Sequence, residues 1–407
     1  MPAIINSDDG VVSGSAGLKT SGANDGLLDF QSNGTRIAGI TTSAFQVGTN
    51  NISAVNSLGF RNRIFNGDMR IDQRNAGASS TPAGDGYFVD RYRTIFTGST
   101  KFTVGQNLNS LTSFPSGFVN YAGLQVATAG SIAAGDINTF VHYIEGTNVA
   151  DLGWGTANAQ TVTLSFWVRS NTTGTFGGSL QNSAQNRSYP FTYSISSANT
   201  WEQKSITIAG DTSGTWLTTT GVGVRVTWSL GTGSTFSGTA GAWAGSDFRS
   251  ATGATSIMGS TSNVFYITGV QLEAGSVATP FERRPYGAEL ALCQRYLPAW
   301  NWVSGNDNVG FGYSSSTVTS LINVAIPVTP RVAPTGVSTS AMTNFILRNG
   351  SNTGGTPTAI AINVTSSGVN QSLSVTTSAG APTLVAGQGA FLFANGAAQI
   401  LFTGCEL

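Results

Sequence analysis

Thr161-Val-Thr-Leu-Ser-Phe-Trp-Val-Arg169 alternates without a break. Successive side chains in an extended strand point to opposite sides. Val162, Leu164, Phe166 and Val168 therefore share one face, and Thr161, Thr163, Ser165, Trp167 and Arg169 share the other. One apolar and one polar face is the pattern of a strand in an antiparallel sheet buried on one side. Gly221-Val-Gly-Val-Arg-Val-Thr-Trp-Ser-Leu230 repeats the device, with Val222, Val224, Val226, Trp228 and Leu230 inward. Further strands are predicted at 140–145, 189–195, 201–208 and 264–272. Many short alternating strands and short turns predict an all-β domain over 61–285, an antiparallel β-sandwich of the jelly-roll kind.

Composition agrees. Glycine supplies 52 of the 407 residues, and charged residues only 9%, against about 25% in ordinary soluble domains. Net charge is zero, with 22 Phe, 10 Tyr and 8 Trp. Disordered chains pair high net charge with few aromatics, so this chain is expected to fold. Zero net charge argues against a nucleic-acid partner, which requires a basic patch for the phosphates. A neutral surface rich in hydroxyls and amides suits protein assembly or carbohydrate contact, and low charge removes a barrier to self-association. The opening Met1-Pro-Ala-Ile-Ile-Asn-Ser-Asp-Asp-Gly10 has neither the basic nor the apolar part of a signal peptide. No run of 18 apolar residues is present, so no membrane insertion is expected. Cys293 and Cys405 do not make a disulfide framework; two buried or half-buried free thiols are expected, with a bridge between them as the alternative.

The flanks differ from the centre. Residues 1–60 are rich in Gly, Ser, Thr and Asn, with short strand-like pieces at 27–31, 36–40 and 44–47. Pieces this short are ordered by pairing with one another or with another protein. Residues 286–300 contain the one good helix pattern, a linker helix with Leu290, Cys293 and Leu297 on a single stripe, stopped by Pro298. From 301 to 407 the alternation returns, with Ile322, Val324, Ile326 and Val328 on one face and further strands around 359–364, 372–375, 390–393 and 399–402. This is expected to be a second, smaller β-sandwich.

Two blocks frame the central domain. Arg61-Asn-Arg-Ile-Phe-Asn-Gly-Asp-Met-Arg-Ile-Asp-Gln-Arg-Asn-Ala-Gly77 opens it, followed by Asp90-Arg91-Tyr92. Phe265-Tyr-Ile-Thr-Gly-Val-Gln-Leu-Glu-Ala-Gly-Ser-Val-Ala-Thr-Pro-Phe-Glu282 closes it, followed by Glu289-Leu-Ala-Leu-Cys-Gln-Arg-Tyr296. Over 61–297 the chain resembles bacteriophage tail-fibre and tail-tip structural proteins, in which a carbohydrate-binding-module-like jelly roll sits within a longer, usually trimeric, fibre. The resemblance implies a virion tail protein that assembles as a homotrimer. Its residues 1–60 would attach to other tail or baseplate proteins, and its distal module, 301–407, would meet a host-surface glycan or receptor. Several weak sugar sites on one particle would act together.

The same blocks resemble the edges of calcium-stabilised carbohydrate-binding jelly rolls. Asn66-Gly67-Asp68 fits the opening, and Asn66, Asp68 and Asp72 would be the ligands. Met69 and Arg70 replace the apolar–acidic pair of that pattern, and Thr268 stands where a closing Asp belongs. Calcium requires six to eight oxygens, carboxylates among them, so a calcium site is weakly supported and no other cofactor is expected.

Catalytic supply is thin. His142 is the single histidine, and a strand position predicts a packing role for it rather than a Ser-His-Asp device. Asp136, Glu145, Asp151, Glu202, Asp211 and Asp247 are the candidates for the carboxylate pair of a glycan-degrading enzyme. The expectation is a non-enzymatic attachment protein; a polysaccharide depolymerase and a purely architectural connector are the alternatives. Aromatic platforms bordered by polar groups bind sugars, which makes Trp167, Trp201, Trp216, Trp300 and Trp302 the glycan candidates. Glu282, Arg283 and Arg284, with the stripe Leu290, Cys293 and Leu297, are expected to tie copies together about a three-fold axis.

Overall fold

The computed structural model describes residues 60–303, 305–351, 353–364, 368–380 and 382–407. It also describes strand backbone at Leu28–Ser32, Thr35–Ile40, Phe45–Val47 and Asn50–Ile52. Those four strands pair in chain order as an antiparallel meander. They match the strand-like pieces read from the sequence and add the last one. The rest of the expected attachment segment lies outside the described residues. The chain divides into two compact units, 1–61 and 62–407.

Within 62–407 the first core is a sandwich of two antiparallel sheets. The five-stranded sheet runs Glu202–Ile208, Val162–Ser170, Val264–Ala274, Ala122–Val126, Phe102–Gln106. The six-stranded sheet runs Ser188–Ile195, Gly174–Gln181, Val222–Ser229, Asn138–Glu145, Tyr92–Phe96, Gly86–Tyr87. Alternation decides what lies between them. Val162, Leu164, Phe166 and Val168 meet Phe176, Leu180, Phe191, Val224, Val226 and Trp228 in one continuous core. Phe166 sets its ring edge-on to Tyr193 at 5.1 Å and to Trp228 at 5.7 Å, a geometry aromatic quadrupoles favour. His142 lies in this core, 4.7 Å from the Tyr92 ring. Burial, with Arg91 adding repulsion, holds its pKa well below the ordinary histidine value.

The two framing blocks meet. Val270 N–H donates to Gly67 O at 2.8 Å and Arg63 N–H to Leu272 O at 2.9 Å. The Asn62 carboxamide grips the same edge of the closing strand, donating to Val270 O and accepting from Leu272 N–H.

The helix spans Tyr286–Gln294. It stops three residues before Leu297: Tyr296 N–H bonds three residues back to the Cys293 carbonyl, and Pro298 has no N–H to continue the ladder. Cys293 and Leu297 are buried within their own chain. The apolar stripe is thereby covered, which removes the reason for expecting these two residues at a three-fold axis; Leu290 is half-buried. Both cysteines are free and buried.

The second core belongs to the C-terminal sandwich. A seven-stranded sheet runs Gly354–Gly355, Phe345–Asn349, Gly389–Ala394, Asn308–Ser314, Thr319–Ala325, Asn370–Thr377, Pro357–Val364. It packs on a three-stranded sheet of Ala299–Asn301, Gln399–Thr403 and Gly336–Thr339. Ile322, Val324, Leu347, Leu373, Val375 and Leu392 face Ile400 and Phe402 between the two. One face of the large sheet is spent on this core; the other is outward.

Candidate functional site

The outward face of the seven-stranded sheet is unusual in what it exposes. In Gly389–Ala394 the small or aliphatic residues Ala390, Leu392 and Ala394 take the core, which leaves Phe391 and Phe393 outside. In the neighbouring strand Phe311 and Tyr313 also point outward. Phe311 is 64% exposed, Tyr313 50% and Phe391 40%. Register lines them up. Arg348 pairs with Phe391, Phe391 with Phe311, Phe311 with Asn323, and Asn323 with Ser372. Five adjacent strands thus present one row, a cation, two phenyl rings, a carboxamide and a hydroxyl. Strands lie about 4.8 Å apart, so the four gaps between five strands make the row about 19 Å long.

A second row runs beside it through Tyr313, Leu321 and Ser374. Phe311, Tyr313, Leu321, Asn323, Asn370 and Ser372 line a shallow recess of about 510 Å³, within the usual range for small-ligand sites. At the other end the Arg348 guanidinium stacks 4.9 Å from the Phe393 ring and donates to Asn306 Oδ1 at 3.2 Å. Phe391 and Phe393 lie 6.4 Å apart. Packing beneath the rings is tight: a Cβ on Gly312 would overlap the Leu321 carbonyl oxygen. Contiguous exposed aromatics of this kind mark interaction surfaces. The face offers apolar rings for stacking, and amide and hydroxyl groups at their borders for hydrogen bonding.

None of the five tryptophans expected to bind glycan lies in these rows. Trp216 is buried at 4.7 Å from Trp154 and 5.4 Å from Trp243, and its indole donates to Ser213 O. It closes an end of the first core, which corrects its assignment as a ligand residue. Trp201 donates to Ser113 O and packs beside Tyr121 at 5.8 Å, in a small satellite cluster with Tyr266. Trp167 stands outward on the five-stranded sheet, half-buried, flanking Gly269 opposite Phe118. Trp300 and Trp302 stack at 6.0 Å. Trp300 is partly exposed and donates to Ala325 O, while Trp302 packs against the second core.

The site residues that sequence reading missed, Phe311, Tyr313, Phe391 and Phe393, carried a signal. They alternate with Gly310, Gly312, Ala390 and Leu392. Rings larger than their core-facing neighbours, in strands apolar on both parities, point to a second sticky face.

Glu282, Arg283 and Arg284 separate. Glu282 accepts from Asn62 N–H, and its own N–H donates to Gln271 Oε1. Arg284 donates to Asn62 O and Ile64 O and pairs with Glu289 at 3.3 Å and Glu282 at 3.4 Å. These two residues tie the ends of one domain to each other, where the sequence led us to expect a tie between copies. Arg283 turns outward.

Asn66, Asp68 and Asp72, the calcium candidates, already have partners. Asn66 accepts from Ile71 N–H and donates to Ile71 O and Asp90 O. Asp68 pairs with Arg70 at 2.6 Å. Asp72 receives Asn75 and Gly77 N–H groups. Burial still pushes its carboxyl above the usual range. Among the described residues no three His, Cys, Asp or Glu side chains are grouped to hold a metal. The cation bracketed by carbonyl and carboxylate oxygens at this joint is the Arg284 guanidinium.

The acidic candidates are likewise engaged and dispersed. Glu145 pairs with Arg295, Asp151 with Arg63, Glu202 with Lys204, Asp211 with Arg187 and Asp247 with Arg249. Asp136 accepts from Ala133 N–H.

No family model matches the chain, and no curated protein matches it. Among solved structures it is similar to a CBM4 structure at 14% identity, covering 52% of this chain and 98% of the other, TM-score 0.26. A second is the enzymatically active domain of tailspike protein 4 of bacteriophage CBA120, at 12% identity, 51% of this chain and TM-score 0.27. The chain spans 22% of that tailspike chain. A third is a putative sugar binding protein from Bacteroides thetaiotaomicron, at 10% identity, 53% and 100% coverage, TM-score 0.29. Likenesses this distant decide nothing about ligand or activity.

Proposed function

We propose that the outer face of the seven-stranded sheet binds a saccharide, and that the protein is an attachment component of a phage tail. The observation that carries the first part is the row Arg348, Phe391, Phe311, Asn323 and Ser372 across adjacent strands. Sugar rings stack their C–H faces on Phe311 and Phe391, while Asn323 and Ser372 meet the hydroxyls at the edge. The cost of leaving these rings in water is recovered when a ligand covers them, at about 25 cal/mol per Å² of apolar area. The open, shallow form suits a chain-like glycan bound weakly and repeatedly, so that several copies on one particle supply the avidity.

The tail role rests on the framing blocks 61–77 and 265–296 and their resemblance to tail-fibre proteins. In this reading the protein is a homotrimer located in the virion tail, and residues 1–60 meet other tail proteins.

The test is a glycan array followed by calorimetry on the intact chain, with Phe311→Ala and Phe391→Ala. A bound glycan whose affinity falls about tenfold or more in each variant, at unchanged melting temperature, is the expected result. Wild-type binding that survives both substitutions would overturn the placement of the site. New reducing ends released from host polysaccharide would favour the depolymerase alternative. Normal particle assembly with no glycan bound would favour an architectural connector.

A further inference from the structure

We infer that the recess around Arg283, on the central sandwich, is a second binding site that takes the carboxylate of an acidic sugar residue. This site is far in sequence from the aromatic rows and stands independently of them.

Asp68, Arg70, Gly117, Phe118, Arg283 and Tyr286 are among the residues lining a recess of about 380 Å³. Three guanidiniums border it, because Arg284 also reaches the wall. Two are neutralised from within: Arg70 by Asp68 at 2.6 Å, and Arg284 by Glu282 and Glu289. Arg283 has neither an ion pair nor a hydrogen bond among the described residues, and it is exposed. It is nevertheless held in place. Its guanidinium lies 4.6 Å from the Phe118 ring centre and 5.6 Å from that of Phe281, and those rings contact each other at 5.2 Å.

Stacking engages the face of a guanidinium and leaves its in-plane N–H groups outward. A planar, forked donor meets a carboxylate in two parallel hydrogen bonds. The backbone is shaped to the same end. Phe118 N–H donates to Pro115 O at 3.0 Å, closing a turn in which Gly117 has φ +80°. That conformation calls for glycine at the third position, and a Cβ there would come within 2.7 Å of Arg283 Nη2.

The remaining lining specifies a sugar rather than a bare anion. Tyr286 is 58% exposed and offers both a ring and a hydroxyl, and Asn120 adds a carboxamide to the wall. An aromatic surface and hydrogen-bonding groups beside a preoriented guanidinium match a ring that carries hydroxyls and a carboxylate.

The experiment is calorimetric titration of the full chain with methyl glucuronide, methyl glucoside and acetate, repeated on Arg283→Gln and Tyr286→Ala. Both residues are exposed, so both variants should fold. The inference expects glucuronide to bind at least tenfold more tightly than glucoside or acetate, and that preference to vanish in Arg283→Gln. Tyr286→Ala should weaken glucuronide while leaving acetate unchanged. Equal affinity for glucuronide and glucoside, no glucuronide binding at millimolar concentration, or a preference that survives Arg283→Gln would each overturn it. Acetate binding as tightly as glucuronide would overturn the sugar part. Phe311→Ala should leave glucuronide binding at this recess unchanged, which separates its failure from that of the aromatic face.

Discussion

Glu145 closes on Arg295 through two hydrogen bonds, 2.7 and 3.0 Å long, across 150 residues of chain. The carboxylate ends a strand of the first core, and the guanidinium follows the helix. Tyr296 adds a third hydrogen bond to the same carboxylate at 2.7 Å. Removing one partner of a buried pair leaves the other charge uncompensated. Arg295→Ala should therefore destabilise the fold by about 3 kcal/mol, at the low end for such pairs because Arg295 is partly exposed. Urea denaturation measures it.

The same pair sets an acid limit. Burial alone would raise the Glu145 carboxyl, but the bonds from Arg295 and Tyr296 outweigh it and hold the pKa below the usual value. The unfolded chain then takes up the proton first as pH falls, so this stabilisation is complete above about 4.5 and is lost below it. Wild type should lose stability between pH 5 and 3 more steeply than Arg295→Ala, as read from urea midpoints.

Asp90 works in the opposite sense. Burial raises its pKa to about 7, against hydrogen bonds from Gln73 that lower it. Between about 4 and 7 the native state keeps a proton that the unfolded chain has released, so this group costs stability as pH rises. Its slope reaches about 1.4 kcal/mol per pH unit at most. Asp90→Asn should flatten the pH 5–8 stability profile; an unchanged slope would mean that Asp90 stays ionised in the fold.

Cys293 and Cys405 are both buried free thiols, and burial raises the pKa of each, that of Cys405 to about 11. Because the thiolate is the reactive form, a thiol reagent should label neither in the native protein and both in urea. Oxidised and reduced samples should migrate identically on denaturing gels.

Gly312 controls the aromatic face from beneath. Because a Cβ there would overlap the Leu321 carbonyl, Gly312→Ala should push apart the strands that carry Phe311 and Asn323. A loss of roughly 1–3 kcal/mol is expected, together with faster amide exchange along 308–325. Phe311→Ala should show neither effect.

Much of this architecture was legible in the sequence. The alternation at Val162, Leu164, Phe166 and Val168 predicted a one-sided strand, and those four residues are fully buried. Ile322, Val324 and Ile326 did the same for the second core. The thiols were read as free, and the helix was placed to within a few residues. The sequence places the trio after Phe281 as a tie between copies, and its separate roles are not legible there. Contacts with Asn62, more than 200 residues earlier, help turn Glu282 and Arg284 inward, while Arg283 is held outward against the Phe118 and Phe281 rings.

The candidate site shows the same division. Periodicity is a local property: it tells which residues share a face, and so it determined the strands, the class of fold and the two cores. Which face meets another sheet depends on the partners that long-range pairing supplies. Tryptophan size alone could not separate Trp216, enclosed by Trp154 and Trp243, from rings left in water. Register across five strands, set by hydrogen bonds between segments up to 80 residues apart, aligned Arg348, Phe391, Phe311, Asn323 and Ser372 into one surface. Their spacing in the chain encodes none of that, because a row perpendicular to the strands exists only once the strands have paired.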